Sequence, residues 1–170
     1  MSISIYSASV PVFTRSLTNM LAWIDKAEAH AKERNFDPDA YLGQRFAPDM
    51  APFSRQIQIA SDSVKGCLAR LSGEDAPSWP DTEATLDELR ARIRKTIEFA
   101  EAIPAAKFKG AEARSISLPL PSGAIEFTGE TFLTSFALPN FYFHATLTYA
   151  LLREAGVQLG KMDFLGAPKS

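Results

Sequence analysis

Two polar residues interrupt an apolar stripe toward the C-terminal end of the sequence, and their spacing is the first sign of chemistry. Leu133, Phe136, Asn140, His144, Leu147 and Leu151 recur at steps of three and four, the period of one helix face. Asn140 and His144 are four apart, so they share that face one turn from each other. An amide and an imidazole directed into an apolar interior need hydrogen-bond partners. The pair fits a ligand-binding or catalytic site at the centre of a helical bundle. It fits equally a satisfied core histidine beside a polar gap, because Pro139 interrupts the same helix and should kink it or break a turn. As a site, it would recognise a small polar ligand through amide and imidazole hydrogen bonds.

Partners for this pair must come from another helix. The stretch before Cys67 supplies Ser54, Gln56, Gln58, Ser61 and Asp62. By helical geometry Gln56 and Ser61 flank the apolar stripe of that segment, and Gln58 lies further round. Each also has an ordinary reading as a polar edge facing solvent or a neighbouring helix. Other chemistries find less support. The sequence has no Gly-rich phosphate loop, nucleophile elbow or His-Glu-x-x-His motif;. Cys67 is the one cysteine, so neither an internal disulfide nor a cysteine-based zinc site can form within one chain. It lies on an apolar stripe and reads as a small buried hydrophobe. His30 is expected to be exposed rather than a ligand. Phe136, Phe141, Tyr142, Phe143 and Tyr149 admit two readings, a pocket lining or core and dimer-interface packing, of which packing is the favoured one.

Four segments carry the helical period needed to position these residues. The first stripe is Val10, Phe13, Leu17, Met20, Ile24, Ala27 and Ala31. The second is Met50, Phe53, Ile57, Ala60, Val64, Cys67 and Leu71, with Asp49 expected as its N-cap;. The third runs from Leu86 to Ala100, with Asp81 or Thr82 expected as its cap and Pro104 as its stop;. The fourth starts at Thr128 or Gly129 and ends at Gly156;. Between the third and fourth the period changes to two. Ile116, Leu118 and Leu120 alternate with polar or turn residues, as do Ile125 and Phe127 after Pro121-Ser122-Gly123, which predicts a β-hairpin. Amphipathic helices of this kind pack at shallow angles around a shared axis. The expected fold is therefore all-α: a four-helix bundle with a short β-hairpin between the third and fourth helices, forming one domain over residues 1–170.

Bulk properties narrow the function classes. The 170 residues are 46% hydrophobic and 22% charged, which suits one globular core and excludes wholesale disorder. A formal net charge of −2 supplies no global field for nucleic acid or an anionic membrane. No apolar run is long enough to span a bilayer, and Met1 to Val10 lacks the basic-then-apolar pattern of a secretory signal;. The expectation is a cytoplasmic protein. A small bundle rich in aromatic residues also suggests an apolar patch covered by association, hence a homodimer.

The segment Asn140-Phe-Tyr-Phe-His144-Ala-Thr-Leu-Thr-Tyr149-Ala-Leu-Leu-Arg153-Glu-Ala-Gly156 resembles the last helix of DinB/YfiT-like proteins. In that helix a His-x-x-x-His pair precedes a Tyr-Leu-Arg-like stretch and a glycine cap. His144 matches the second histidine, and Asn140 stands where the first would be. Gln58-Ile59-Ala60 is similar to the His-Ile-Ala pattern that supplies the third ligand from the second helix, with Gln in place of His. The resemblance to an uncharacterised bacterial branch of this superfamily covers nearly the full length. It runs from Ser4-Ile5-Tyr6, through Ala47-Pro48-Asp49-Met50 and Gln56 to Asp62, through Phe136 to His144, to Leu159 to Gly166. It implies a relative of thiol-dependent transferases and isomerases that hold a divalent metal with three histidines. Two of those three positions lack histidine here. Amide oxygens are weak ligands for zinc or nickel, so the expectation is a degenerate metal site with no cofactor, or at most a weakly bound zinc or nickel on His144 with Asn140 and Gln58. Three functions follow from this: small-ligand binding or a structural role, a divalent-metal-dependent transferase or isomerase, or a dimeric interaction module.

Overall fold

The computed structural model describes residues 3–119 and 123–166; Leu120, Pro121 and Ser122, part of the expected hairpin, lie outside the described residues. Four long helical segments make the bundle, and a two-stranded hairpin precedes the last. Helix α1 (Ile5–Arg34) starts at a capping box, in which Ser4 and Ser7 satisfy each other's backbone N–H groups;. It ends at Asn35, which adopts the left-handed conformation. Helix α2 (Phe53–Ser72) starts three residues later than Met50 and has no side-chain cap. Pro52 is the reason: it disfavours helical backbone at Ala51, so Asp49 does not cap and Met50 stays outside the helix. Helix α3 (Leu86–Ala102) is capped by Thr85, whose hydroxyl accepts from the N–H of Glu88 at 3.2 Å. Neither Asp81 nor Thr82 takes that role, because the chain between α2 and α3 is held elsewhere.

Strands β1 (Ser115–Leu118) and β2 (Ile125–Thr128) pair antiparallel, with Ser115 opposite Thr128 and Leu118 opposite Ile125. Ile116 and Leu118 are buried against the bundle, which two strands require to persist. The fourth helical segment begins as α4 (Gly129–Phe132), capped by Thr128. Gly129 is needed there: a Cβ would sit 1.8 Å from the Ala111 carbonyl oxygen. The helix then widens into a π-turn over Leu133–Ala137 and continues as α5 (Leu138–Glu154). Pro139 explains the widening. It has no N–H to give, and its ring would strike the carbonyl one turn back; the π-turn absorbs both effects without ending the helix.

Side-chain packing closes the bundle in the order α1, α3, α2, α5, with α1 and α5 also in contact. One continuous core runs through all four, with Phe13 and Phe141 meeting edge to face at 5.1 Å between centroids. After α5, a short helix α6 (Lys161–Leu165) folds back onto α1. Trp23 donates its indole N–H to the Asp163 carbonyl at 2.9 Å, stacks on Phe164, and meets Tyr149 edge to face. Among the described residues no helix is long and apolar enough to cross a membrane.

The segment from Gly73 to Thr85 lies along α2 and α3 as a strap. Arg92, whose side chain is 2% exposed, fastens it. Its guanidinium reaches Asp62 and Asp81 at 2.9 Å, Glu83 at 2.8 Å and the Pro80 carbonyl at 3.1 Å. Lys65, also buried, bonds to Asp62 at 2.8 Å and to the Pro77 carbonyl at 3.2 Å, and lies over the Trp79 ring.

Candidate functional site

The site is a seam between α2 and α5, and the polar interruptions of the α5 stripe lie along it. Gln56 sits on the first turn of α2 and is 1% exposed. Its amide N–H donates to the Ala51 carbonyl at 2.9 Å, which accepts from no backbone N–H among the described residues. This fixes the amide orientation and turns Oε1 toward α5. His144 lies 2.7 Å from Oε1 through Nδ1. Because a carbonyl oxygen only accepts, Nδ1 must carry the proton and donate. The imidazole is thereby set as the Nδ1–H tautomer, with its lone pair on Nε2. Among the described residues Nε2 has no hydrogen-bond partner.

His144 is half-buried, and the Phe143 ring meets it edge to face at 5.1 Å. Burial, and to a lesser degree the Arg55 guanidinium, hold its pKa below the ordinary value of 6.5;. Such a histidine binds its proton more weakly when folded than when unfolded. Its contribution to stability is complete above 6.5 and is lost as pH falls through the folded value. NMR titration of the imidazole carbons should place His144 below 6.5. A normal or raised value would mean a wet site or a carboxylate close to the ring.

Asn140 occupies the turn after Pro139 and donates through Nδ2 to the Ser63 hydroxyl at 2.7 Å. Ser63 passes its own proton to the Ile59 carbonyl at 2.7 Å. Asn140 and His144 thus each dock on a different α2 residue, Ser63 and Gln56, which lie seven apart and so on one face.

The other expected site residues are held by α3 and the strap, although Asp62 also borders the space beside Asn140. Gln58 donates to Glu83 at 2.9 Å and accepts from Arg55 at 3.3 Å. Ser61 shares a 2.6 Å hydrogen bond with Thr96 in the α2–α3 core. Asp62 pairs with Arg92 and Lys65. The α2 partners of α5 are therefore Gln56 and Ser63. The sequence carried a signal for them: their seven-residue spacing, on the same edge of the apolar stripe. Cys67 is buried, and burial pushes its thiol pKa up, so it has no thiolate character at neutral pH. His30 is half-buried rather than exposed, with Nδ1 2.7 Å from the Tyr41 hydroxyl.

These residues do not fit a three-histidine metal centre. The seam offers one imidazole nitrogen, two amides and a hydroxyl, all neutral. Among the described residues no three of His, Cys, Asp and Glu are grouped as a metal would need. First-row divalent ions favour imidazole and thiolate over amide oxygen.

Comparison with known proteins agrees with the architecture. The family described as "Domain of unknown function (DUF1993)" matches residues 5–165. The crystal structure of a DinB family member protein from Shewanella denitrificans superposes with a TM-score of 0.90. The two sequences are 40% identical over 97% of this chain and 93% of that one. No curated protein matches the chain.

Proposed function

The chain belongs to the DUF1993 family, a branch of the DinB-like fold, and from that premise we propose that its α2–α5 seam is a metal-poor site that binds a small polar ligand by hydrogen bonds. The observation that carries this reading is the Gln56–His144 bond at 2.7 Å. An amide, itself anchored to backbone, takes the place that a second ligand or an activating carboxylate would need, and it orients the imidazole. His144 Nε2 remains as an acceptor, and Asn140 keeps its carbonyl oxygen and a second N–H for a ligand. This array suits recognition of a neutral or weakly acidic group, and it gives a divalent ion little to hold.

The test is metal analysis of protein purified without a histidine tag, followed by zinc titration of variants. Wild type should carry well under one metal per chain and bind zinc weakly. Asn140→His places two imidazoles four apart on one helix face, which can chelate one ion, and should raise zinc affinity. Adding Gln56→His should raise it further, whereas adding Gln58→His should not, because Gln58 faces Glu83. Stoichiometric, tightly held metal in wild type would overturn the proposal in favour of a metal-dependent transferase or isomerase.

A further inference from the structure

Next to Asn140 the seam opens into a cleft of about 220 Å³ between α2, β1 and the π-turn segment. Its walls are mostly apolar, with Phe136 and Ala137 presented by the π-turn and Ile59 by α2. π-Turns recur where a helix serves a site. Arg70 stands at the polar edge, half-buried. Its guanidinium lies down along α2 and donates to the Gly66 carbonyl at 2.8 Å. Among the described residues it takes part in no ion pair, whereas Arg55, Arg90 and Arg92 are all paired with carboxylates.

Gly66 makes this posture feasible. A Cβ at that position would lie 2.8 Å from an Arg70 terminal nitrogen. Glycine inside a helix costs about 1 kcal/mol relative to alanine, and here it clears space for the guanidinium along the cleft. Asp62 also lines the cleft, but its carboxylate is engaged by Arg92 and Lys65. Among the described residues that line the cleft, Arg70 is the cationic group and has no carboxylate partner.

We propose that this cleft binds a small apolar carboxylic acid as its anion, with the carboxylate on Arg70 and the Asn140 amide and the apolar body against Phe136 and Ala137. A planar guanidinium matches a carboxylate with two parallel hydrogen bonds. Size sets the class: an apolar cavity of about 150 Å³ accepts benzene, so the cleft suits one ring or a short chain with its carboxylate. The inference deepens the reading of the seam as a ligand site and rests on it at Asn140.

The probe is phenylacetate, titrated into untagged, metal-free wild-type protein and followed by amide and side-chain NMR shifts, with benzyl alcohol as the uncharged comparison. Phenylacetate should shift Asn140, Ala137 and Gly66 and bind at least about tenfold more tightly than benzyl alcohol, the scale of a charge-assisted bond. Arg70→Gln should remove that preference. Gly66→Ala, which keeps every charge and favours the helix, should weaken phenylacetate binding by displacing the guanidinium. If Arg70→Gln fails to fold, Gly66→Ala and the benzyl alcohol comparison decide. No binding by wild type, or binding indifferent to the charge of the probe and to both variants, overturns the inference. Shifts confined to His144 and Gln56 would overturn the cleft while leaving the seam as a ligand site. Tight stoichiometric metal with phenylacetate binding retained would overturn the metal-poor reading and leave the cleft standing.

Discussion

Arg92→Ala is expected to lower the free energy of unfolding by about 3–5 kcal/mol, the scale for breaking a buried ion pair from one side. Three carboxylates, those of Asp62, Asp81 and Glu83, converge on this one guanidinium. Without it Glu83, only 12% exposed, keeps its charge with no cation beside it, and only its own backbone and the Gln58 amide to satisfy it. The strap from Gly73 to Thr85 also loses the bond to the Pro80 carbonyl. Urea unfolding at neutral pH measures the loss. A change below about 1 kcal/mol, the scale of a surface ion pair, would show that water reaches the network.

The same variant should alter the response to acid. Burial by itself would raise the Glu83 pKa, but hydrogen bonds from Arg92, its own backbone and Gln58, with the Arg92 charge, outweigh it and hold the group below 4.5. A carboxylate with a depressed folded pKa contributes stability that is present above its unfolded value and lost as pH falls through the folded one. The difference between wild type and Arg92→Ala should therefore be largest at neutral pH and narrow below 4.5. A difference that stays constant into that range would remove Glu83 from the account.

Trp23→Ala should cost about 3–5 kcal/mol, the range for deleting a large buried aromatic side chain, and should also release α6. The indole is 1% exposed and joins three elements: α1, which carries it; α5, through Tyr149; and α6, through Phe164 and the Asp163 carbonyl. The other ties of α6 are more exposed, chiefly Lys26 to Asp163 at 2.7 Å and Asn19 to the Phe164 carbonyl at 2.9 Å. Amide exchange at Phe164 and Gly166, whose N–H groups close the α6 turns, should accelerate more than global destabilisation explains. Trp23→Phe keeps one aromatic ring but loses the bond to Asp163 and part of the buried indole, so it should cost about 2 kcal/mol, less than Trp23→Ala. Unchanged protection of α6 in Trp23→Ala would mean that Lys26 and Asn19 hold it unaided.

The four long helical segments, the strands of the hairpin and the two polar residues on α5 were legible in the amino-acid sequence, whereas the short helix α6 was not. Periodicity is a local property: steps of three and four place Val10 to Ala31 on one face of α1 whatever surrounds it. Local chemistry likewise put the disturbance of the fourth helix at Pro139, although it could not choose between a kink and a widened turn. Two expected caps do not form, because a cap depends on backbone restrictions and competing partners beyond its own turn. Asp49 yields to the backbone restriction from Pro52, and Asp81 is drawn away by Arg92, a residue on the following helix.

Tertiary structure decided the partners of Asn140 and His144. Gln56 and Gln58 are two residues apart, so their side chains leave α2 roughly 200° apart around the axis, at 3.6 residues per turn. Each has a polar environment: the first meets His144, the second meets Glu83 and Arg55. Nothing in the local pattern tells which side of α2 faces α5 and which faces α3, because that depends on the order in which four similar stripes close around the core. The resemblance through Gln58-Ile59-Ala60 chose one side, and packing put the imidazole on the other. The tautomer of His144 followed from the same cause. It is set by an amide whose orientation is fixed by the Ala51 carbonyl, a group with no backbone N–H partner among the described residues because Pro52 delays the start of α2.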